Sequence, residues 1–174
     1  MRLHTLHLLR HAKSSWKEDV EDHERPLNKR GREAARRVGE HLAGTIEPID
    51  LVLCSSAVRA RQTLELALAR LPTPPPFLME DGLYLAGCDR LIDRLQRLDE
   101  SCGSVLLIGH NPGLHELAMA IVDVSGSRAR ALLSGKFPTA ARASFEINTP
   151  WSQLGGSRHR LIDYVTPASL PGGK

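Results

Sequence analysis

Short apolar runs alternate along the chain with stretches whose apolar residues recur every three or four positions. Met1 to Leu9 is brief and apolar, which predicts a buried first strand. A polar loop, Lys17 to Arg25, precedes Pro26-Leu27-Asn28. Asn28 suits the cap of a helix with Ala34, Ala35, Val38 and Leu42 on one face, stopped by Gly44. Asp50 to Cys54 reads as a second buried strand. It ends at Ser55-Ser56, and a helix carrying Leu64, Leu66, Ala67 and Leu68 follows. Prolines between Pro72 and Pro76 make a stiff link to a weak strand, Phe77-Leu78-Met79. Asp89 to Leu98 is a further helix, with Leu91, Ile92, Leu95 and Leu98 turned inward.

Ser104 to Ile108 is the clearest strand of all. Gly109-His110-Asn111-Pro112-Gly113 breaks it, and Asn111 followed by Pro112 predicts a helix start. Leu114, Leu117, Ala118, Ile121 and Val122 supply that helix with its apolar face. Ser125 to Phe137 reads as a basic loop. Ala143 to Ile147 and Arg160 to Val165 are two late strands, expected as antiparallel neighbours at the sheet edge. Residues 166–174, rich in Pro and Gly, are expected to form a flexible tail after a single domain spanning 1–165. Strands alternating with helices in this way predict a three-layer α/β fold.

Composition narrows the class without naming a chemistry. Of 174 residues, 41% are hydrophobic and 25% charged, which excludes disordered and fibrous classes. No apolar run approaches the ~20 residues that span a bilayer, and the N-terminus lacks a signal-peptide pattern. Cys54, Cys88 and Cys102 are scattered, without CxxC spacing, as in a reduced cytoplasmic protein. A net charge of +3 is too mild to argue for nucleic acid, and only 4% of residues are aromatic, leaving little to stack on bases. The charge does suit an anionic substrate. No membrane partner is expected, and a monomer is favoured.

The chemistry-bearing residues follow strand ends, where ligands of such folds bind. The first strand runs into Arg10-His11-Ala12-Lys13-Ser14-Ser15, the second into Ser55-Ser56 and then Arg59, the Ser104–Ile108 strand into Gly109-His110-Asn111. Two histidines and two arginines thus converge from three segments. Guanidiniums offer planar forks of donors, hydroxyls and helix-terminal amides add more, and a neutral imidazole offers a lone pair to phosphorus. His11 is therefore read as a phosphoryl-accepting nucleophile. Arg10 and Arg59 would grip the phosphoryl oxygens, with Arg25, His110 and Ser14 completing the cage. The cations would also lower the pKa of His11 and keep it unprotonated near neutrality. Neither metal nor cofactor is required by this scheme.

Leu8-Leu9-Arg10-His11-Ala12 resembles the signature of the histidine phosphatase (phosphoglycerate-mutase-like) superfamily. Three further segments are similar to its small SixA-type phosphohistidine phosphatase branch. These are Glu24-Arg25-Pro26-Leu27-Asn28 with Arg30-Gly31, the run Ser55 to Thr63, and Gly109 to Gly113. The resemblance covers roughly residues 3 to 145. It implies a central, mostly parallel sheet with helices on both faces and a phosphate pocket of Arg10, His11, Arg25, Arg59 and His110. The signature's third residue is commonly glycine; Ala12 stands there. Larger members carry a general-acid Glu on a covering insertion. Here only Pro72 to Asp89 is available, which makes Glu80 and Asp81 the candidates, with Asp19 or Asp22 as substitutes.

Plainer readings stand for the remaining residues. His23, His41, His115 and His159 are taken as structural or solvated. A His4/His7/His11 metal triad would need a helix, whereas a strand sends His4 and His7 to opposite faces. Arg30, Arg32, Arg36 and Arg37 form a solvated helix face, Arg128 to Lys136 an exposed basic stretch of the 126–136 loop, and Trp16 a packing residue or a lid. The leading expectation is a metal-independent phosphatase working through a phosphohistidine intermediate. Its substrate would be a phosphorylated protein, specifically one bearing phosphohistidine. Alternatives are a phosphatase of small phosphomonoesters and a non-catalytic phospho-ligand binding module. A mutase fits poorly, because a short covering segment would not retain an intermediate.

Overall fold

The apolar runs form strands β1 (His4–Arg10), β2 (Leu51–Ser55), β3 (Phe77–Glu80) and β4 (Ser104–Gly109), followed late in the chain by β5 (Arg142–Ile147) and β6 (Arg160–Val165). The computed structural model describes residues 3–45 and 48–172. Met1 and Arg2, at the start of the expected first strand, lie outside the described residues. The strands make one six-stranded sheet of order β3-β2-β4-β1-β5-β6. β3, β2, β4 and β1 are mutually parallel, while β5 runs antiparallel to both β1 and β6.

Two periodicities build the layers. Along β4, Val105 and Leu107 face one core and Leu106 and Ile108 the other, as a period of two requires. The first core is closed by α3 (Cys88–Gln96), α4 (Gly113–Ile121) and α5 (Ser127–Ser134), the second by α1 (Lys29–Thr45) and α2 (Val58–Leu68). Both faces of the central strands are thereby buried, so they read as unbroken apolar runs. The Asn28 side-chain oxygen accepts the Gly31 N–H at 2.8 Å and caps α1. Gly31 itself is required by a close approach: a Cβ there would stand 2.0 Å from the Lys13 carbonyl oxygen.

Three expectations are corrected. The basic loop over 126–136 is largely helix α5, because Ala129 and Leu132 sit three apart and bury against the first core. The tail over 166–172 is docked: Thr166 and Ser169 close a capping box, Leu170 is buried in the second core, and Arg37 reaches the Gly172 carbonyl. Gly173 and Lys174 lie outside the described residues. At Asn111-Pro112 the helix starts later, at Gly113, and the Asn111 amide donates to the Phe137 carbonyl instead of capping.

Candidate active site

β1, β2 and β4 lie side by side as β2-β4-β1 and end at the same edge of the sheet. Their carboxyl ends open into a cleft of about 470 Å³. Arg10, His11, Ser14, Arg25, Arg59 and His110 all line it, so the structure brings together the residues singled out for nucleophile and phosphate cage. His11 and His110 have ring centroids 5.1 Å apart, tilted by 55°. Nδ1 of His11 lies 2.7 Å from the Ala12 carbonyl oxygen, an acceptor only, so Nδ1 carries the proton and Nε2 keeps its lone pair. The backbone behind this ring is pinned. Ala12 donates its N–H to Thr63 Oγ1, which in turn donates to the Arg59 carbonyl one helical turn earlier.

Electrostatics favour an anion over a proton. Burial, with His110, Arg59 and Arg10 adding to it and the Ala12 carbonyl opposing it, pushes His11 down to about 3. Burial and Arg59 push His110 down to about 4. Both rings are neutral near pH 7. Ser55 Oγ lies 2.7 Å from His110 Nε2 and already accepts the Ala57 N–H. A Ser55 proton donated to Nε2 leaves Nδ1 as the proton-bearing nitrogen of His110. That Nδ1 is buried without a protein partner, as are Nε of Arg10 and Nε of Arg59. Buried donors left unpaired are costly unless something else accepts from them.

Asp22 organises the cationic wall. Its Oδ1 accepts from Arg25 Nε at 3.0 Å, and its Oδ2 from Arg59 Nη2 at 3.1 Å and from the Tyr84 hydroxyl. Its backbone carbonyl takes Arg59 Nη1 at 2.7 Å. The Tyr84 hydroxyl, then Arg25 and Arg59, hold the carboxyl well below the usual carboxylate range. Arg25 also donates Nη1 to Ser14 Oγ and to the Ser15 carbonyl. A guanidinium tied on three sides presents its remaining donors in a fixed direction.

The acid candidates fare differently. Glu80 gives both oxygens to Arg94 at 2.7 and 2.8 Å and does not line the cleft. Asp81 opens the 3-10 turn Asp81–Leu83, where its backbone carbonyl accepts the Tyr84 N–H, and neither it nor the exposed Asp19 lines the cleft. The carboxylate at the cleft is Asp22, and it is ionised. Trp16 is 78% exposed at the mouth and packs only through one ring face, which lies over the Arg25 guanidinium at 3.5 Å from the ring centroid. His23, read as structural or solvated, binds Ser56 Oγ through Nε2 and sets its ring edge-on against Tyr84, 4.8 Å away.

Sequence reasoning missed Tyr84, whose ring stands 5.5 Å from that of His110 and whose hydroxyl reaches Asp22 across 62 residues. It has no local signal. Ser55 and Thr63 were signalled only as neighbours of Arg59. His4 and His7 fall on different faces of β1, against Glu100 and Ser144 respectively, and no group of three metal-binding side chains converges among the described residues. No helix among those residues is long and apolar enough to cross a membrane.

The histidine phosphatase superfamily (branch 1) matches the chain over residues 6–83. An uncharacterized protein of Mycobacterium tuberculosis is 32% identical over 161 residues, covering 91% of this chain and 99% of its own length. Two solved structures described as candidate SixA phosphohistidine phosphatases superpose closely. That from Agrobacterium tumefaciens has 30% identity and a TM-score of 0.79, covering 94% of this chain and 98% of its own. That from Nakamurella multipartitia has 27% identity and a TM-score of 0.84, covering 96% and 98%. With the mixed sheet and the convergent strand ends, these likenesses show that the chain is a phosphatase belonging to the histidine phosphatase superfamily, in its SixA-type branch.

Proposed function

We propose that the protein hydrolyses phosphohistidine on other proteins through a phosphorylated His11. Nε2 of His11 attacks phosphorus in line, and the bond from phosphorus to the departing imidazole nitrogen breaks. Arg10, Arg59 and the Nδ1–H of His110 take the equatorial oxygens, whose charge they neutralise without rearranging. Arg25 and Ser14 hold the outer side of the group. Water then attacks phospho-His11, inorganic phosphate leaves, and the neutral imidazole returns.

One observation carries the choice of leaving group. Asp22 is the carboxylate at the cleft, and Tyr84 with two arginines keeps it ionised, so it has no proton to donate. An alkyl phosphate needs such a proton for its alkoxide. A phosphohistidine protonated on its other ring nitrogen leaves as neutral imidazole and needs none. An open cleft with Trp16 exposed at its mouth also suits a phosphoryl group held on a protein surface.

The test is a comparison of kcat/KM for a phosphohistidine peptide, sugar phosphates and an aryl phosphate. The expected order places phosphohistidine and the aryl ester at least a hundredfold above the alkyl esters. Equal rates for alkyl esters would favour the small-phosphomonoester reading. A cleft that bound all of them and turned over none would be a binding module.

A further inference from the structure

Three shallow grooves run outward from the cleft, and one residue, Lys13, lines all four hollows. One passes between α1 and the docked tail, along Arg30 and Arg37. A second follows Lys136 and Phe137 past Asn111. The third follows Lys17 and Lys29 below Trp16. Together the four hollows are lined by ten arginines and lysines against three carboxylates, Glu18, Asp22 and Glu33. The whole chain carries 23 basic against 20 acidic residues, so everything outside these hollows is net negative. The positive charge is gathered where substrate arrives.

The catalytic scheme uses Arg10, Arg25 and Arg59. It has no use for Lys17, Lys29, Arg30 or Lys136, none of which lines the cleft. Lys17, Arg30 and Lys136 are exposed and form no ion pair among the described residues. Two exposed apolar side chains flank the mouth: Trp16, and Leu85 at 54% exposure with φ of +52°, a left-handed conformation that an ordinary side chain rarely holds. An aromatic anchor within a charged rim is the composition of a protein-docking patch. A small phosphate ester would touch none of it.

We infer that these grooves dock an acidic protein surface, and that the phosphorylated residue is presented from the middle of a patch of Asp and Glu. This rests on the phosphohistidine-protein reading above and adds the partner's surface chemistry to it. Opposite charge around the mouth speeds encounter and rejects phosphorylated proteins with basic flanks. It also makes capture sensitive to salt, since exposed charges are screened over about 10 Å at 0.1 M.

The probes are two histidine peptides phosphorylated with phosphoramidate, one flanked by Asp and Glu, the other by Ser and Lys. Each is compared with an aryl phosphate on the wild type and on the triple variant K17E/R30E/K136E, whose changes all lie outside the cleft. The expected result is at least a tenfold preference in kcat/KM for the acidic peptide, lost in the variant and lost at high salt. Aryl phosphate turnover should stay within twofold. No preference in the wild type, or a preference that survives charge reversal, overturns the inference. If neither phosphopeptide is hydrolysed, the proposed substrate falls instead. Docking is then decided by whether the unphosphorylated acidic peptide inhibits aryl phosphate hydrolysis in the wild type and not in the variant; no inhibition overturns it. Stronger inhibition by a mixed-sequence RNA oligonucleotide would overturn it in favour of nucleic acid.

Discussion

The carbonyl oxygen of Ala12 stands 2.7 Å from Nδ1 of His11. A residue thus fixes the tautomer of its own predecessor, and the lone pair of Nε2 is available without any neighbouring base. The expected outcome of His11→Ala is loss of aryl phosphate hydrolysis to background. Rapid quenching of the wild type should trap acid-labile, alkali-stable phosphate on His11. Because the free ring sits at about 3, kcat/KM corrected for substrate ionisation should stay level from pH 7 to pH 5. A fall through pH 6.5 would contradict the assigned protonation state.

Asp22 is the joint between Arg25, Arg59 and Tyr84. Asp22→Asn keeps the shape but removes the charge and turns one accepting oxygen into an NH2 that faces a donor, so at least one of the three hydrogen bonds is lost. Transition-state stabilisation should fall by about 1.5–3 kcal/mol, roughly 10- to 150-fold in kcat/KM. Tyr84→Phe should cost less, since both arginines keep their carboxylate. An acid-donating role would instead remove the alkaline limb of the pH profile in Asp22→Asn. No such change is expected.

The cage was legible because Arg10 and His11 lie at the end of β1, His110 directly follows β4 and Arg59 sits in the first turn of the helix after β2, and strand ends of a parallel sheet point to one place. Tyr84 was not, because its partner is 62 residues away and its surroundings, Leu83 and Leu85, read as plain connection. Helix α5 was hidden by its flanks. Gly126 and Gly135 advertise a loop, and only eight residues between them bury an apolar pair. Trp16 was misjudged because aromatic side chains are usually interior, and nothing local announces a guanidinium from Arg25 stacked beneath one.

Stability should decline in mild acid. His7 is buried against Ser144 and Arg142, and burial, then Arg142, pushes it down to about 4. Below pH 6.5 the unfolded chain takes up a proton at this site that the folded chain refuses until about pH 4. The stability present above 6.5 is lost across that window, by on the order of 3 kcal/mol for the site. His11 and His110 act with the same sign. Urea unfolding of His7→Gln at pH 7 and pH 4.5 should show a smaller loss than the wild type's.

Two glycines of α1 should respond in opposite ways. In Gly31→Ala the new Cβ would meet the Lys13 carbonyl oxygen at 2.0 Å, so the helix must move off the loop that carries Ser14. A cost of about 2–4 kcal/mol is expected, together with reduced kcat/KM. Gly44→Ala has nothing within 4 Å of the new methyl and should raise stability by up to about 1 kcal/mol through helix propensity alone. Thermal melts of the two variants decide the pair.

The strand that carries His110 is the last of the three cleft-forming strands to be synthesised, yet it is threaded between the other two. β1 and β2 have no direct pairing; they are neighbours only through β4. In a growing polypeptide the Ala12–Thr63 and Asp22–Arg59 contacts lie within the first 63 residues, whereas the sheet edge that sets β1 beside β2 is incomplete until residue 109 has emerged and slotted into the gap. Turnover of phosphate by nascent or proteolytically shortened chains is thus a direct reporter of that insertion, switching on at one chain length instead of growing in with each added element.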